Sequence, residues 1–471
     1  MYAVTVRCLH ELAEIATLRC TINALNLASA RPDPFSTFEF YQNLLRRRDS
    51  VNGGTRLRVW FLAAFIEHEL IGYLALEEVS ETVLWCRIRR LGFLAGHDAD
   101  RPHVVARTEH VGIATEMFYE YLRERRQEWD VLELQQQDAA STLYPLPPGV
   151  RLKGCWVRHW PNLDNGTIRV RWATLQEYFD ALAPKFRNGL LRQMRKLLAS
   201  GEVELLTSSD PASTPALLDL YCSIEERSWK ANTDLTIGGK PERLDYVRGL
   251  LDARQPMQAV IQILVCNGVP IAGLISGAFS GPADKGLYAL HMVFDEHLSA
   301  AAPGSALLMM GMRYAIGGYF SSLNLLSGFG YYKTRWLADM TATQGAQIYR
   351  IGGVLFWRRL LGDAWRWSGA RLLPTARSVD SQRPVRDRPA LAASTPPTTV
   401  ERAAFSRLIA EARRGTGEWL SPREFAAAIP FAARPAGESN RTNRVTPRSR
   451  PDPRAAPDAR GVAAATAPRC P

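Results

Sequence analysis

One succession of elements occurs twice in this chain, and that repeat restricts the fold more than any single motif. The first copy has apolar runs at Leu57 to Ile66 and Leu70 to Glu78, joined by Glu67-His68-Glu69. Trp85 to Leu94 follows as a strand, His110 to Arg126 as a helix and Val131 to Leu134 as another strand. The second copy has a hairpin from Val260 to Val265 and Ile271 to Phe279, turning at Asn267-Gly268, a pair suited to a tight hairpin turn. Leu287 to Phe294 is then a strand, Gly304 to Tyr314 a helix and Leu323 to Leu326 a strand. Hairpin, strand, helix, strand, given twice, predicts an α/β protein built from two copies of one unit.

Length and charge set the outer limits. A chain of 471 residues allows two or three domains, and a hydrophobic fraction of 46% supplies real cores. The longest apolar runs, such as Trp60 to Ile66, are too short to span a bilayer. Met1 to Leu18 lacks the apolar centre of a signal peptide, so a cytoplasmic protein is expected. The 7 cysteines form no C-x-x-C or Cys/His cluster, which argues against a zinc site and a disulfide framework; no metal is expected. Of the net charge of +11, +9 falls in residues 371–471, which also hold 14 of the 29 prolines. That segment reads as a mostly disordered basic tail, available to a protein partner. Within it, a helical island is expected near 400–429, where Ser421-Pro422-Arg423-Glu424 is a capping box.

The two copies differ at their helix starts. The first helix begins at Thr108-Glu109-His110, where a carboxylate occupies the positive end of the dipole. The second begins at Pro303-Gly304-Ser305, with no acid in its first two turns. Bare N–H groups there suit a phosphate. Between the copies, Leu190, Leu191, Met194, Leu197 and Leu198 define one helix face, while Lys185, Arg192, Arg195 and Lys196 lie opposite. Thr214-Pro215 opens a further helix carrying Leu217, Leu218, Tyr221 and Ile224 inward and ending at Glu225-Glu226-Arg227-Ser228-Trp229-Lys230.

In order, Asp295, Pro303-Gly304, Gly328 or Gly330, Tyr332-Lys333 and Arg335-Trp336, preceded by Glu226-x-Ser228-Trp229-Lys230, resemble the GNAT-like acyltransferases. The similarity runs over about Phe35 to Leu361 and is to the CelD-type branch, associated with cellulose and exopolysaccharide production and related to the FemAB transferases. Ala302 departs from the family pattern, which often has Ser there. The resemblance implies two tandem GNAT-like units: 1–165, expected to lack a carrier site, and 166–370, carrying an acyl-CoA site at Pro303, Gly304 and Ser305. Acetyl-CoA is the implied co-substrate. The implied acceptor is a small-molecule amine on a sugar nucleotide, glycan precursor or amino-acid derivative. Two other readings stay open: a FemAB-like transferase using aminoacyl-tRNA, and a degenerate scaffold in polysaccharide synthesis. The nearly neutral body speaks against nucleic acid as a partner.

Acyl transfer from a thioester to an amine needs a proton acceptor, a donor to the carbonyl oxygen and an acid for the thiolate. Lys333 follows a glycine-rich turn at a strand end and is expected as an exposed cation. Asp295 ends the preceding strand, and His291 and Glu226 are further base candidates. Tyr332 is a candidate proton donor. Arg192, Arg195, Trp229 and Lys230 are the expected substrate contacts.

Overall fold

Two sheets with the same strand order carry the chain. The first runs β1 (Val4–Leu9), β2 (Arg58–Ile66), β3 (Glu69–Val83), β4 (Cys86–Phe93), β6 (Val131–Gln137), β15 (Gln344–Arg350) and β7 (Cys155–Pro161), with β5 (Val105–Ala106) against β3. The second runs β9 (Val203–Ser208), β10 (Gln258–Cys266), β11 (Val269–Ser280), β12 (Lys285–Phe294), β13 (Ser322–Ser327), β8 (Asn165–Arg169) and β14 (Asp339–Thr341). One pair in each sheet is parallel, β4 with β6 and β12 with β13. Helix α4 (Val111–Glu124) connects the first of these pairs and α9 (Pro303–Gly317) the second. The computed structural model describes residues 3–361, apart from 52–57, 84, 149, 151, 209–213, 232, 234, 235, 253, 283 and 329. Beyond them it describes 402, 406, 409–410 and 419–428.

Adjacent strands of the chain are dealt to opposite sheets. β7 and β8 are consecutive in sequence, yet β7 pairs with β15 and β8 pairs with β13 and β14. β14 and β15 are likewise consecutive and likewise parted. The segment 344–350, expected within the second unit, is therefore hydrogen-bonded in the first sheet. The short strands β7, β8, β14 and β15 were not anticipated, because polar residues interrupt their apolar alternation.

Helices complete three cores. On one face of the first sheet, α4 contributes Phe118 and Leu122 to a core with Trp60 and Leu132. On one face of the second, α5 (Leu175–Ala181), α6 (Pro184–Ala199) and α9 bury Phe179, Leu190, Met194 and Leu307. The third core lies between the sheets. There α1 (Leu12–Ala16), α2 (Arg19–Ala28) and α3 (Phe38–Val51) meet α7 (Thr214–Glu225) and α8 (Pro241–Leu250), and Phe38, Tyr41, Phe61 and Tyr73 pack in one cluster with Tyr221, Ile224 and Val293. At the hairpin between β10 and β11, Asn267 (φ 49) and Gly268 (φ 73) both take the left-handed conformation that such a turn requires. A short helix α10 (Gly330–Arg335) follows β13, and α11 (354–361) follows β15.

Most of the expected tail, 371–471, lies outside the described residues. The described part of the expected island packs on the body. Strand β16 (Trp419–Leu420) pairs with the outer edge of β9, and helix α12 (Pro422–Ala428) follows it. Phe425 and Leu420 join the core of the second sheet and Ile409 joins the core between the sheets. The capping box is formed: Glu424 N–H donates to Ser421 Oγ, and Ser421 N–H donates to Glu424 Oε2.

Candidate active site

β12 and β13 pair only from Gly286 to Tyr288, against Ser322 to Asn324, and then part. The gap is bounded by α9. A cavity of ≈ 400 Å³ fills it, lined by Ala289, Met292 and Phe294 of β12, Leu325 of β13, Ala302, Gly304, Ser305 and Leu308 around the start of α9, and Tyr332 and Trp336. Glu296 and Ser299 close one side. Pro303 is buried at the first helical position, where its fixed φ is favourable. Ala302 precedes it at φ 47, and no side chain caps the helix. The first turn holds no acid, so the positive end of the dipole faces the cavity, in whose lining Glu296 is the one carboxylate among the described residues. A Cβ on Gly304 would lie 3.1 Å from Phe294 Cδ1, so glycine is what leaves this wall open.

The wall opposite α9 is irregular. Ile275 on β11 faces His291, whereas Ser276 faces Ala289, so Leu290 is one residue too many in β12. Such a bulge turns backbone groups off the ladder beside the cavity, where N–H donors can serve a carbonyl oxygen.

The same strands carry a second cavity on their other face. Tyr288 and Asn324 line it, and their immediate neighbours Ala289 and Leu325 line the first cavity. Alternate residues of a strand face opposite ways, so the two cavities lie back to back across the parting strands. This seam cavity measures ≈ 430 Å³ and takes Asp33, Asp100 and Arg101 from the first half and Thr167 and Asp284 from the second. Asp100 is buried and accepts from Asn165 Nδ2 at 2.5 Å, Asn324 Nδ2 at 3.3 Å and Arg101 Nε at 3.2 Å. Asp33 caps the turn Pro34–Ser36, accepting from Phe35 N–H at 2.7 Å and Ser36 Oγ at 3.0 Å. Burial nonetheless raises its carboxyl to about 6. His103, whose Nδ1 lies 3.5 Å from Asp33, is held neutral, with burial lowering its pKa to about 3.

Lys333 corrects an expectation. It is 1% exposed and sits on α10, its stem lying over Gly166 and its Nζ donating to Leu326 O at 2.5 Å. Burial lowers its pKa to about 8, against the pull of Asp100 and Asp164. Lys333 thus lines neither cavity, and Asp100, one of the two acids that act on it, lines the seam. Tyr332, on the same helix, is half-exposed at the first cavity, and burial raises its hydroxyl pKa.

Asp295 is fully engaged. Its Oδ1 accepts from His297 N–H at 3.0 Å and lies 2.8 Å from His297 Nδ1, while Oδ2 pairs with Arg227 Nε at 2.9 Å. Asp295 and Lys333 therefore have separate partners. His291, beside the bulge, is driven to about 3 by burial, helped by Lys230, Arg243 and Arg47. It stays neutral at neutral pH and is a weak base. Arg192 and Arg195 are exposed on α6, and Trp229 is 43% exposed.

Glu226 is exposed, and its neighbour Glu225 is the buried acid. Glu225 Oε2 accepts from Ile237 N–H at 2.6 Å and Gly238 N–H at 2.9 Å, tying down the loop after α7. Burial raises its pKa, and Lys230, itself buried, opposes that. Spacing could have shown this: Glu225 stands four residues after the inward-facing Tyr221. Asp33 also carried a signal, as an acid before proline at a turn. Asp100 carried none, because only the fold brings it to Asn165 and Asn324.

Comparison with known proteins comes to one family and a set of folds. Residues 184–334 match the family model described as an acetyltransferase (GNAT) domain. No curated protein matches the chain. Among solved structures, the chain is similar to FemX at 9% identity, covering 72% of this chain and 97% of that one, with a TM-score of 0.49. It is similar to a tandem GNAT protein from the clavulanic acid biosynthesis pathway at 10% identity, over 74% and 99%, with a TM-score of 0.42. A third is the C-terminal domain of a lysylphosphatidylglycerol synthetase from Agrobacterium fabrum, at 14% identity over 75% and 96%, TM-score 0.43. No helix among the described residues is long and apolar enough to cross a membrane, and no cluster of His, Cys, Asp and Glu there could hold a metal.

Proposed function

We propose, from the GNAT-type acyltransferase domain at residues 184–334, that this chain moves an acetyl group from acetyl-CoA to an amine. The carrier lies in the cavity below α9, and the amine arrives through the seam. The back-to-back placement of the two cavities supports this most strongly, since Tyr288/Ala289 and Asn324/Leu325 each divide between them. The amine must reach one face of the thioester carbonyl at close range, and an opening behind the strands lets it approach without crossing the carrier.

Each step has a residue suited to it. The carrier's pyrophosphate meets the start of α9. The thioester carbonyl lies against the bulge at Leu290, whose backbone donors receive its developing charge. The amine nitrogen attacks the carbonyl carbon, the carbon–sulfur bond breaks and an amide forms, and the proton that the nitrogen sheds replaces the one that Tyr332 gives up. Tyr332, protonated at neutral pH, gives its proton to the departing thiolate. Lys333 is a buried cation at the end of β13, and its charge steadies the acceptor or the oxyanion. Asp295 positions Arg227 and His297.

The narrower placement is part of the same proposal. The order Asp295, Pro303-Gly304, Tyr332-Lys333, Arg335-Trp336 favours the CelD-type branch, and with it a cytoplasmic enzyme and an amine on a sugar nucleotide, glycan precursor or amino-acid derivative. The first half, 1–165, is proposed to hold no carrier. Purified protein with acetyl-CoA and a panel of amino sugars and amino acids should release free CoA thiol only when an acceptor is present. Acyl transfer from aminoacyl-tRNA without use of acetyl-CoA would replace this reading with a FemAB-like one. Binding of neither donor would leave the scaffold.

A further inference from the structure

The first sheet has its own cavity in the place that corresponds to the seam cavity. The two sheets share one strand order, so β4, β15 and β7 correspond to β12, β8 and β14. In the second sheet, Tyr288, Thr167 and Asp339 from those strands line the seam. In the first sheet, Arg90, Tyr349 and Arg158 line a cavity of ≈ 730 Å³. Strands supply one wall and α11 the other, where Leu355, Arg358 and Arg359 recur at i, i+3 and i+4 and so share a face.

Its chemistry is unlike that of the seam. The lining holds 4 arginines and, among the described residues, no carboxylate. The floor is held rigidly by a relay of hydrogen bonds. Tyr349 Oη donates to Gln347 Oε1 at 2.6 Å, Gln347 Nε2 to Glu133 Oε1 at 2.5 Å, and Arg90 Nη1 to the same oxygen at 2.5 Å. Glu133 thus lies behind the lining and is occupied with Arg90, as is Glu81 at 2.6 Å. Burial raises the Tyr349 hydroxyl's pKa and Glu133 adds to that, while Arg359, Arg158 and Arg90 pull it down, so the field of three guanidiniums reaches the floor. Beside them Trp160 presents an aromatic wall, its ring packed on Gly345, where even a methyl group would collide.

We propose that this cavity binds a small molecule bearing a diphosphate and an attached ring. Planar guanidiniums pair with phosphate oxygens two at a time, and Trp160 and Tyr349 offer faces for a base or sugar. The site is independent of the carrier cavity, being in the other sheet and on the face away from α4.

Calorimetry on the full chain tests this with inorganic pyrophosphate, UDP and an RNA of about 20 nucleotides. Pyrophosphate and UDP should bind, UDP more tightly. Arg158→Ala and Arg358→Ala should each weaken both by about tenfold, the loss of one charged hydrogen-bond pair, at unchanged melting temperature. The same two variants should keep their affinity for acetyl-CoA. Gly304→Glu, at the carrier cavity, should lose acetyl-CoA and keep UDP. No heat with pyrophosphate or UDP, binding that survives both arginine changes, binding that disappears in Gly304→Glu, or binding of RNA alone would each overturn the proposal.

Discussion

The two helix starts that follow corresponding strands, α4 after β4 and α9 after β12, have been put to different uses. Counted from its first residue, each helix has glycine second, Gly112 and Gly304. The sixth positions then diverge, Leu308 in the cavity wall and Glu116 exposed. Against the expected carboxylate at its positive end, α4 starts at Val111 with no acid in its first turn, as α9 does; exposed Glu109 stands two residues before it, whereas small residues precede α9. The chain after β6 is bound down on α4, with Thr142 hydrogen-bonded to Thr115 at 2.8 Å and Leu143 O accepting from Tyr119 Oη. After β13 the chain turns into α10 instead, and Tyr332 and Trp336 leave a hollow. A duplicated unit can thus keep its strand order while one copy fills the space that the other keeps open.

The outer edges of the sheets differ too. β9 is covered by β16 and α12, while β1 stands at the end of its sheet. A truncation after Leu373 removes Leu420, Phe425 and Ile409, and should cost about 4 kcal/mol, from burial of two to three large apolar side chains. Hydrogen exchange should rise in β9 and β10 and stay unchanged in β1 and β2. Equal loss in both sheets would mean that the unit between them is one cooperative block.

Lys333→Ala should lower turnover about a hundredfold, about 3 kcal/mol. It should also shift stability, since the lysine is buried and its stem fills space over Gly166. If Lys333 acts as a cation, turnover should fall as pH rises through about 8, and Lys333→Arg should carry the activity limb to higher pH. The sign for stability is opposite. Because its folded pKa is below 10.5, protonation favours the unfolded chain, so its contribution is lost as pH falls toward about 8. A turnover limb unmoved by arginine would remove the lysine from the chemistry.

Gly166→Ala should have a smaller effect, about 1 kcal/mol in stability, because its Cβ would fall 2.7 Å from Lys333 Cδ and a flexible stem can shift. A drop in turnover larger than the drop in stability would show that the placement of the amine matters beyond its charge.

The sequence carried the repeated elements well, because β2, β3, β10 and β11 are long, apolar and closed by clear turns. It carried the start of α9 for the same reason: proline, glycine and the lack of an acid are local facts. It did not carry the strand exchange, since β8 and β15 are short and their partners are decided by the whole fold. Lys333 shows the limit most plainly. A lysine after a glycine-rich turn looks exposed, and only the packing of α10 against Gly166 buries it. The seam was invisible for the same reason, with Asp100 and Asn324 more than two hundred residues apart.

The most direct measurement is acetyl-CoA binding by calorimetry to Gly304→Glu and Gly112→Glu side by side. Gly112 has open space where a Cβ would sit, so the second variant should fold as well as the first. The carrier site at α9 predicts that Gly304→Glu loses binding, by charge and by bulk, while Gly112→Glu binds as the wild type does. Loss in Gly112→Glu, with Gly304→Glu unaffected, would place the carrier in the first sheet and contradict the account.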